Sequence, residues 1–214
     1  MTSTRLVLIR HGESRATIER RLSSARTCTG LSDFGRRQAE ALRDRLLAGH
    51  DVQASVLYAS SYSRALETAQ IIAPALGSLP ISVDAGWGEH DPGLDCDGLT
   101  FQEFVALHGT PDWDADPSAV IFPGGETIAE FHRRIITSLR RTVRAHEGET
   151  IVVSCHGGVI DAVLRHTLQM KQVGGFELQT QNTSITELQH VRTDRWRLVR
   201  YNDAAHLAGL TKEM

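Results

Sequence analysis

The sequence predicts an α/β fold: a three-layer α/β/α sandwich whose central sheet is mostly parallel and has an antiparallel edge. Short apolar runs alternate with helical patterns along the 214 residues, which is typical of parallel sheets covered by helices. Three stretches, VLIRHGES, VLYASSYSRALETA and IVVSCHGGVI, each join an apolar run to a polar turn and a helical pattern. The last two apolar runs have no helical pattern between them, which indicates an antiparallel pair at an edge.

The predicted strands are short apolar runs that end at polar or turn residues. The first of them ends with Arg10 directly beside His11, an unusual pairing of a cation with an imidazole. The run before Cys155 begins with three consecutive apolar residues, Ile151 to Val153, as expected for a strand that is buried on both faces. The predicted strands cover residues 5–10, 55–59, 81–83, 151–154, 184–189 and 196–201.

The predicted helices are recognised by their caps and by the spacing of their apolar residues. Ser32 and Ser61 are assigned as N-caps of the helices that follow the first two strands. Thr100 with Glu103 three residues later is a capping-box signature. From Ile128 onward, apolar residues recur at helical spacing and predict a long amphipathic helix. The predicted helices cover residues 33–48, 62–75, 101–108, 128–146 and 157–168.

The segment at about 84–125 is predicted to form lid loops. Residues 85–99 are rich in glycine, aspartate and tryptophan and show no periodicity, and residues 109–125 form a second loop. Trp87 and Trp113 are placed near the mouth of the site, as stacking surfaces or packing anchors. These loops are too short for a second domain, so residues 1–214 are predicted to form a single domain.

Composition argues against several classes of partner. The formal net charge of -3 does not favour binding to nucleic acid or to anionic membranes. The three cysteines are widely separated and form no C-x-x-C pair, so we expect reduced thiols and neither a disulfide frame nor a zinc site. The first apolar run, residues 6–9, is too short for a signal peptide, and no stretch is long enough to span a bilayer. We expect a cytoplasmic protein.

Four basic side chains are predicted to meet at one end of the sheet. Because the carboxyl ends of parallel strands lie together, Arg10, His11, Arg64 and His156 share one edge, where helix N-termini also point. Two histidines and two arginines in such a place repel one another unless an anion lies between them. The chemistry that suits this set is phosphate binding with a neutral imidazole as nucleophile.

Each of these residues also has an ordinary structural explanation. Arg10 taken alone is a solvated strand end, and Arg64 is a surface residue that can pair with Glu67 at i,i+3. His156 stands before two glycines, which permit close approach of the backbone to a ligand. Their joint placement favours the functional interpretation.

Other candidate groups have weaker support. His132, His146 and His166 fall on predicted helices, as surface or partly buried residues, and no spacing such as H-E-x-x-H indicates a metal site. Cys155 is a possible thiol nucleophile but is expected to face away from the phosphate. We therefore expect neither a metal nor another cofactor.

The motifs RHGES, SSYSRALETA and SCHGGVI, in this order and each after a strand, resemble the three signatures of the histidine phosphatase superfamily, the phosphoglycerate-mutase-like fold. TGLSDFGRRQAEAL and the tail NTSITELQ with WRLVRYNDAAHL are also similar to that family, in particular to its phosphatase branch. The similarity covers essentially the whole chain. It implies a metal-independent phosphoric monoester hydrolase of the histidine acid phosphatase type.

The resemblance assigns a role to each site residue. It implies that His11 attacks phosphorus and becomes a phosphohistidine, while Arg10, Arg64 and His156 hold the phosphoryl oxygens. The family places a glutamate in the loop after the third strand, with glycine four residues later. Glu89 in WGEHDPG matches that pattern and is the expected proton donor, with His90 and Asp91 as local rivals.

The sequence departs from the family pattern just after the nucleophile. Many members have asparagine where this chain has Thr17, and a common tryptophan is replaced by Ala16. Thr17, Ser14 and Gly157 are further candidates for phosphate binding, and Gly12 for a backbone contact. The segment GLDCDG is one residue longer than the usual family segment, so a differently shaped lid is expected.

Three functions are weighed. A phosphatase for small phosphate monoesters is favoured over a phosphoglycerate mutase, because the two lid loops, residues 85–99 and 109–125, carry seven acidic residues and no arginine or lysine to bind a second anion. Those acids are Glu89, Asp91, Asp95, Asp97, Asp112, Asp114 and Asp116. A non-catalytic phosphate-binding regulatory module is the third possibility, and the complete set of site residues argues against it. The expected partner is a small-molecule phosphate ester, and a homodimer is possible.

Overall fold

A mixed six-stranded sheet in the order β3-β2-β4-β1-β5-β6 forms the centre of the protein. The computed structural model describes residues 3–49, 52–114, 116–192 and 195–212. Strands β1 to β4 are parallel, β5 pairs antiparallel with β1, and β6 pairs antiparallel with β5. The strands are β1 (Thr4–Arg10), β2 (Val56–Ala59), β3 (Ile81–Val83), β4 (Thr150–Cys155), β5 (Ile185–Arg192) and β6 (Arg195–Asp203). The predicted α/β sheet with an antiparallel edge is confirmed.

Helices cover both faces of this sheet, and short 3₁₀ turns lie at Ala73–Leu76, Ala85–Trp87 and Ala205–Leu207. The helices are α1 (Arg15–Ile18), α2 (Asp33–Gly49), α3 (Ser63–Ile72), α4 (Gly93–Cys96), α5 (Phe101–His108), α6 (Ile128–Ala145) and α7 (Gly157–Thr167). The short helices α1 and α4 lie in segments where the sequence shows no helical period. No helix of the described residues is both long and apolar enough to cross a membrane.

Alternate residues of β1 divide the core into two layers. Leu6 and Leu8 pack with apolar residues of α6 and α7, whereas Val7 and Ile9 pack with residues of α2 and α3. Strand geometry requires this alternation, because successive side chains point to opposite faces. Full burial of a large apolar side chain such as Ile135 on α6 contributes about 1.5–3 kcal/mol.

Helix caps follow the sequence in all but one case. Ser32 Oγ accepts a hydrogen bond from Gly35 N at 2.9 Å, and Thr100 forms the predicted capping box with Glu103. The prediction that Ser61 caps α3 is wrong: the N-cap is Tyr62, which makes no side-chain capping bond, and α3 ends at Ile72 before a 3₁₀ turn. The neighbouring Ser60 accepts a hydrogen bond from Tyr62 N instead.

The lid segment has a small apolar core of its own. Phe104 and Phe122 are buried together with Cys96, and the partly buried Leu22 and Leu99 pack against them. Gly93 has a φ of +75°, and a Cβ placed there would lie 2.3 Å from the carbonyl carbon of Gly124, so a side chain does not fit. Trp87 is fully buried in the main core, so the expectation that it lies near the mouth is wrong.

Candidate active site

The carboxyl ends of β1 and β4 and the N-terminal ends of α3 and α7 surround one cleft of about 870 Å³. Arg10 ends β1, Arg64 is the second residue of α3, and His156 is the N-cap of α7. His11 is 4 % exposed, Arg64 6 % and His156 0 %. The structure therefore brings the four basic residues together. Glu67 pairs with Arg36 instead of Arg64.

Two hydrogen bonds fix the tautomer of His11. Its Nδ1 lies 2.6 Å from Gly12 O, which can only accept, so Nδ1 carries the proton. Arg64 Nε, which can only donate, lies 3.1 Å from His11 Nε2. The Nε2 atom therefore presents a lone pair, which is the state that a nucleophilic imidazole requires. Asn182 donates to His11 O at 2.9 Å and holds the backbone at this point.

His156 is held in the opposite tautomer. Arg64 Nε also donates to His156 Nδ1, at 3.3 Å, so that its Nε2 carries the proton and donates to Ser60 Oγ at 2.8 Å. The two imidazole centroids are 5.1 Å apart, and the Tyr62 ring lies 4.8 Å from that of His156. One guanidinium thus bridges both histidines of the site.

Burial and neighbouring cations keep both imidazoles neutral. Burial lowers the pKa of His11 well below 6.5, and the charges of Arg64 and Arg10 lower it further. The pKa of His156 is lowered in the same way, first by burial and then by Arg64. Burial also lowers the pKa of Arg10, against the opposing effect of Glu89. A neutral nucleophile beside cations follows directly from this arrangement.

Arg10 retains hydrogen-bonding capacity toward the cleft. Its Nη1 donates to Thr180 O, whereas its Nε is buried and has no hydrogen-bond partner among the residues that the structure describes. Buried donors of this kind are rare and call for an explanation. A Cβ on Gly157 would lie 3.6 Å from Arg10 Nε, so the glycine leaves room beside this group.

Glu89 faces the cleft from the lid. Its Oε2 accepts a hydrogen bond from Gly158 N at 3.2 Å, at the N-terminal end of α7, and its Oε1 accepts one from His90 N at 3.1 Å. A Cβ on Gly158 would lie 2.4 Å from Glu89 Oε1, so this approach requires glycine. Of its predicted rivals, Asp91 binds Arg26, and His90 Nε2 lies 2.6 Å from Glu126 O.

The loop that carries Glu89 is fastened to helix α6 by Arg134. This arginine forms a bidentate ion pair with Glu126, at 2.7 and 2.6 Å. It also donates to Gly88 O at 3.0 Å and to Glu89 O at 3.2 Å. The Tyr62 hydroxyl donates to the same Glu89 carbonyl at 3.1 Å. The backbone at Glu89 is therefore fixed from two elements.

Ser14 and Thr17 line the same cleft, but their hydroxyls are engaged with each other. The two oxygens lie 2.8 Å apart, and Ser14 Oγ also accepts a bond from Thr17 N as the N-cap of α1. Gly12 donates its N–H to Thr68 Oγ1 at 3.1 Å. Thr17 is exposed, whereas Ser14 is buried.

Several residues that support the site were not predicted. Cys28 Sγ accepts hydrogen bonds from Arg64 N and Nη1, at 3.4 and 3.5 Å, and the Arg64 Cζ lies 4.6 Å from the Tyr62 ring centroid. Ser60 and Tyr62 lie inside the SSYSRALETA motif, so their position in sequence beside Arg64 could have identified them as residues that support the site. Cys28 had no such signal. Cys155 is fully buried in the main core, away from the cleft, as expected.

The acidic lid is partly balanced by arginines from outside it. Asp97 pairs with Arg26 and accepts further hydrogen bonds from Ser24, which lowers the pKa of Asp97. Arg21 and Arg165 line the cleft itself. The lid segment contains no arginine or lysine, but the cleft as a whole does contain arginines.

The fold and the site place the chain among α/β proteins that carry paired histidines and arginines at the carboxyl ends of a parallel sheet. Residues 6–204 match the model of the histidine phosphatase superfamily, branch 1, and the chain belongs to this superfamily. The predicted family is therefore confirmed.

Individual relatives cover nearly the whole chain. It is 32 % identical over 205 residues to phosphoglycerate mutase-like protein 4 of Arabidopsis thaliana, covering 94 % of this chain and 86 % of the relative. It is 26 % identical over 212 residues to the metal-independent phosphoserine phosphatase of the same plant, covering 97 % and 84 %. The solved structure of a mycobacterial glucosyl-3-phosphoglycerate phosphatase matches with a TM-score of 0.79 and 26 % identity, covering 94 % of this chain and 99 % of that one.

Proposed function

We propose that this protein is a phosphatase that hydrolyses small phosphate monoesters through a phosphohistidine on His11. The observation that carries the proposal is the unprotonated Nε2 of His11: the Gly12 carbonyl holds the proton on Nδ1, and Arg64 donates to Nε2. The relatives named as phosphatases support the same reaction class. Two arginines supply the positive charge that a metal ion supplies in other phosphoryl-transfer sites, so the proposed reaction is metal-independent.

In the first step, the Nε2 lone pair of His11 attacks phosphorus and the bond from phosphorus to the ester oxygen breaks. Arg10, Arg64 and His156 bind the phosphoryl oxygens and stabilise the charge that develops on them, His156 after its N–H has exchanged Ser60 Oγ for a phosphoryl oxygen. The unpartnered Nε–H of Arg10 supports this role, because a phosphoryl oxygen would satisfy it. Protonated Glu89 gives its proton to the departing alkoxide.

In the second step, a water oxygen attacks the phosphohistidine while the Glu89 carboxylate removes its proton. The bond between phosphorus and Nε2 breaks, inorganic phosphate leaves, and Glu89 is again protonated. The approach of Glu89 to the N-terminal end of α7 supports this assignment, since that helix begins beside His156.

Three further residues are proposed to assist phosphate binding. Gly157 places a backbone N–H at the N-terminal end of α7, where anions are favoured. Ser14 and Thr17 line the cleft and contribute hydroxyl groups once the bond between them is exchanged for a phosphoryl oxygen.

The proposal is tested with p-nitrophenyl phosphate in the presence of EDTA. We expect nitrophenol release by the wild-type protein and none by His11→Asn, a variant of similar size that cannot be phosphorylated. Quenching with labelled substrate should trap an acid-labile, alkali-stable phosphoprotein in the wild type alone. Undiminished turnover by His11→Asn would refute the phosphohistidine. Isomerisation of 3-phosphoglycerate that is stimulated by bisphosphoglycerate would favour a mutase instead.

A further inference from the structure

One wall of the cleft is a continuous row of five rings, which we call the aromatic wall. It runs from Trp113 through Phe122, His90 and Phe131 to His132, and all five residues line the cleft. Successive ring centroids lie 5.6, 5.3, 5.4 and 5.9 Å apart. Trp113 is 46 % exposed at the mouth, whereas His132 is 5 % exposed, so the wall leads from solvent into the protein.

His132 is the polar end of this wall and is not engaged by the protein. Among the residues that the structure describes, none forms a hydrogen bond with its ring, although the side chain is buried. It was expected to be a surface or partly buried residue, and that expectation is wrong. Burial, reinforced by Arg165 and His166, lowers the pKa of His132 to about 4. At neutral pH the ring therefore offers one N–H donor and one acceptor nitrogen.

The part of the cleft that lies near Arg165 does not favour a second anion. Arg165 lines the cleft, but its guanidinium binds Asp161 at 2.7 Å and the carbonyls of Lys171, Gly174 and Phe176 at 2.8–3.0 Å. Its charge is thus already paired with Asp161, and four of its five N–H donors are used. Three more carboxylates line the cleft, those of Asp112, Asp114 and Glu177.

A cation is equally disfavoured at the inner end, where His132 lies under the positive charge of Arg165. The group that suits a neutral imidazole with both a donor and an acceptor is a hydroxyl, which can accept and donate in turn. The rings beside it suit the apolar C–H faces of a carbon skeleton. A volume of about 870 Å³ lies in the range typical of sites for drug-sized ligands, far more than a phosphoryl group needs.

We infer that His132 is a specificity-determining residue that hydrogen-bonds a hydroxyl of the substrate. The preferred substrates are then monophosphates of sugars or similar polyols, with the carbon skeleton against the aromatic wall. This inference rests on the proposed phosphatase activity. His132 also lines a second, smaller cavity together with Gln172, so a longer polyol has space beyond it.

The test compares kcat/KM for hexose and pentose monophosphates with values for phosphoserine, 3-phosphoglycerate and p-nitrophenyl phosphate. For His132→Phe, we expect the ratio of sugar phosphate to p-nitrophenyl phosphate to fall about tenfold, as the loss of a buried hydrogen bond predicts. His132→Gln keeps a donor and an acceptor and should recover most of that ratio. The matched control, His108→Phe on the exposed side of α5, should leave the ratio unchanged.

The outcomes distinguish a failure of the proposed phosphatase activity from a failure of the inference about His132. If wild type hydrolyses none of these esters, the proposed phosphatase activity fails. If p-nitrophenyl phosphate is hydrolysed but phosphoserine or 3-phosphoglycerate exceeds every sugar phosphate, only the inference about the polyol fails. If His132→Phe lowers all substrates by one common factor, or if His132→Gln does not recover the ratio, His132 has a structural role and the inference is overturned.

Discussion

Replacement of Arg64 by glutamine removes the group that bridges both histidines. Its Nε–H donates to His11 Nε2 and to His156 Nδ1, at 3.1 and 3.3 Å. In the proposed reaction, charged donors of Arg64 bind phosphoryl oxygens, and each such bond contributes about 1.5–3 kcal/mol. Two of them give about 3–6 kcal/mol of transition-state stabilisation, which corresponds to a fall in kcat of about 10²–10⁴-fold.

The same substitution should not destabilise the protein. Arg64 is 6 % exposed, and among the described residues it contacts imidazoles, a thiol and a tyrosine ring but no carboxylate. A buried charge without a counter-charge is unfavourable, so its removal should leave Tm unchanged or raise it by about 2–4 °C.

The assay combines kcat measurement for Arg64→Gln with thermal unfolding followed by circular dichroism. Arg64→Lys keeps the charge but loses the fork of donors, so we expect an intermediate activity. Arg133→Gln, an exposed change on α6, serves as the control and should alter neither quantity. A kcat for Arg64→Gln within tenfold of wild type, or a lost activity that tracks a lower Tm, would refute the reasoning.

Three further predictions concern pH, packing and proton transfer. The pKa of His132, about 4 in the fold against 6.5 in the unfolded chain, means that the unfolded chain binds a proton first as pH falls. The contribution of His132 to the free energy of unfolding should be full above pH 6.5 and fall by about 3 kcal/mol toward pH 4. If Tm depends on pH as steeply in His132→Phe as in the wild type, this prediction is contradicted. Gly35→Ala places a Cβ 2.0 Å from Glu13 O, so Tm should drop by about 4 °C or more, and an unchanged melting curve would show that the contact relaxes freely. Glu89→Gln should lower kcat for alkyl phosphates about 10²–10⁴-fold while an initial burst of nitrophenol from p-nitrophenyl phosphate persists, because nitrophenolate departs without a proton. Loss of that burst would exclude Glu89 as the acid.

Local patterns predicted most of the fold because each of them depends only on residues that are close together in sequence. The capping box at Thr100 needs only Glu103, and the layers on either side of β1 follow from alternation along one strand. The basic residues of the site were predicted together because each stands at the same point of a strand, turn and helix. Their meeting in space then follows from the parallel order of the strands.

The failures involve contacts between distant parts of the chain. Ser61 was predicted to cap α3, but the helix begins one residue later, after Tyr62, and the neighbouring Ser60 binds His156, 96 residues away. His132 shows the same limit: its spacing from Ile135 and Leu139 places it on the buried face of α6, but the segments near Arg165 and Phe176 that line the cleft with it are distant in sequence. No pattern within α6 contains that information.

The fastening of the Glu89 loop by Arg134 has a consequence for the energetics of each catalytic cycle. Glu126 and four carbonyl groups, those of Ala85, Gly86, Gly88 and Glu89, already saturate this guanidinium before any substrate arrives. The reorganisation energy of orienting the proposed proton donor is therefore incurred once, when the chain folds, and is not repeated with every molecule converted.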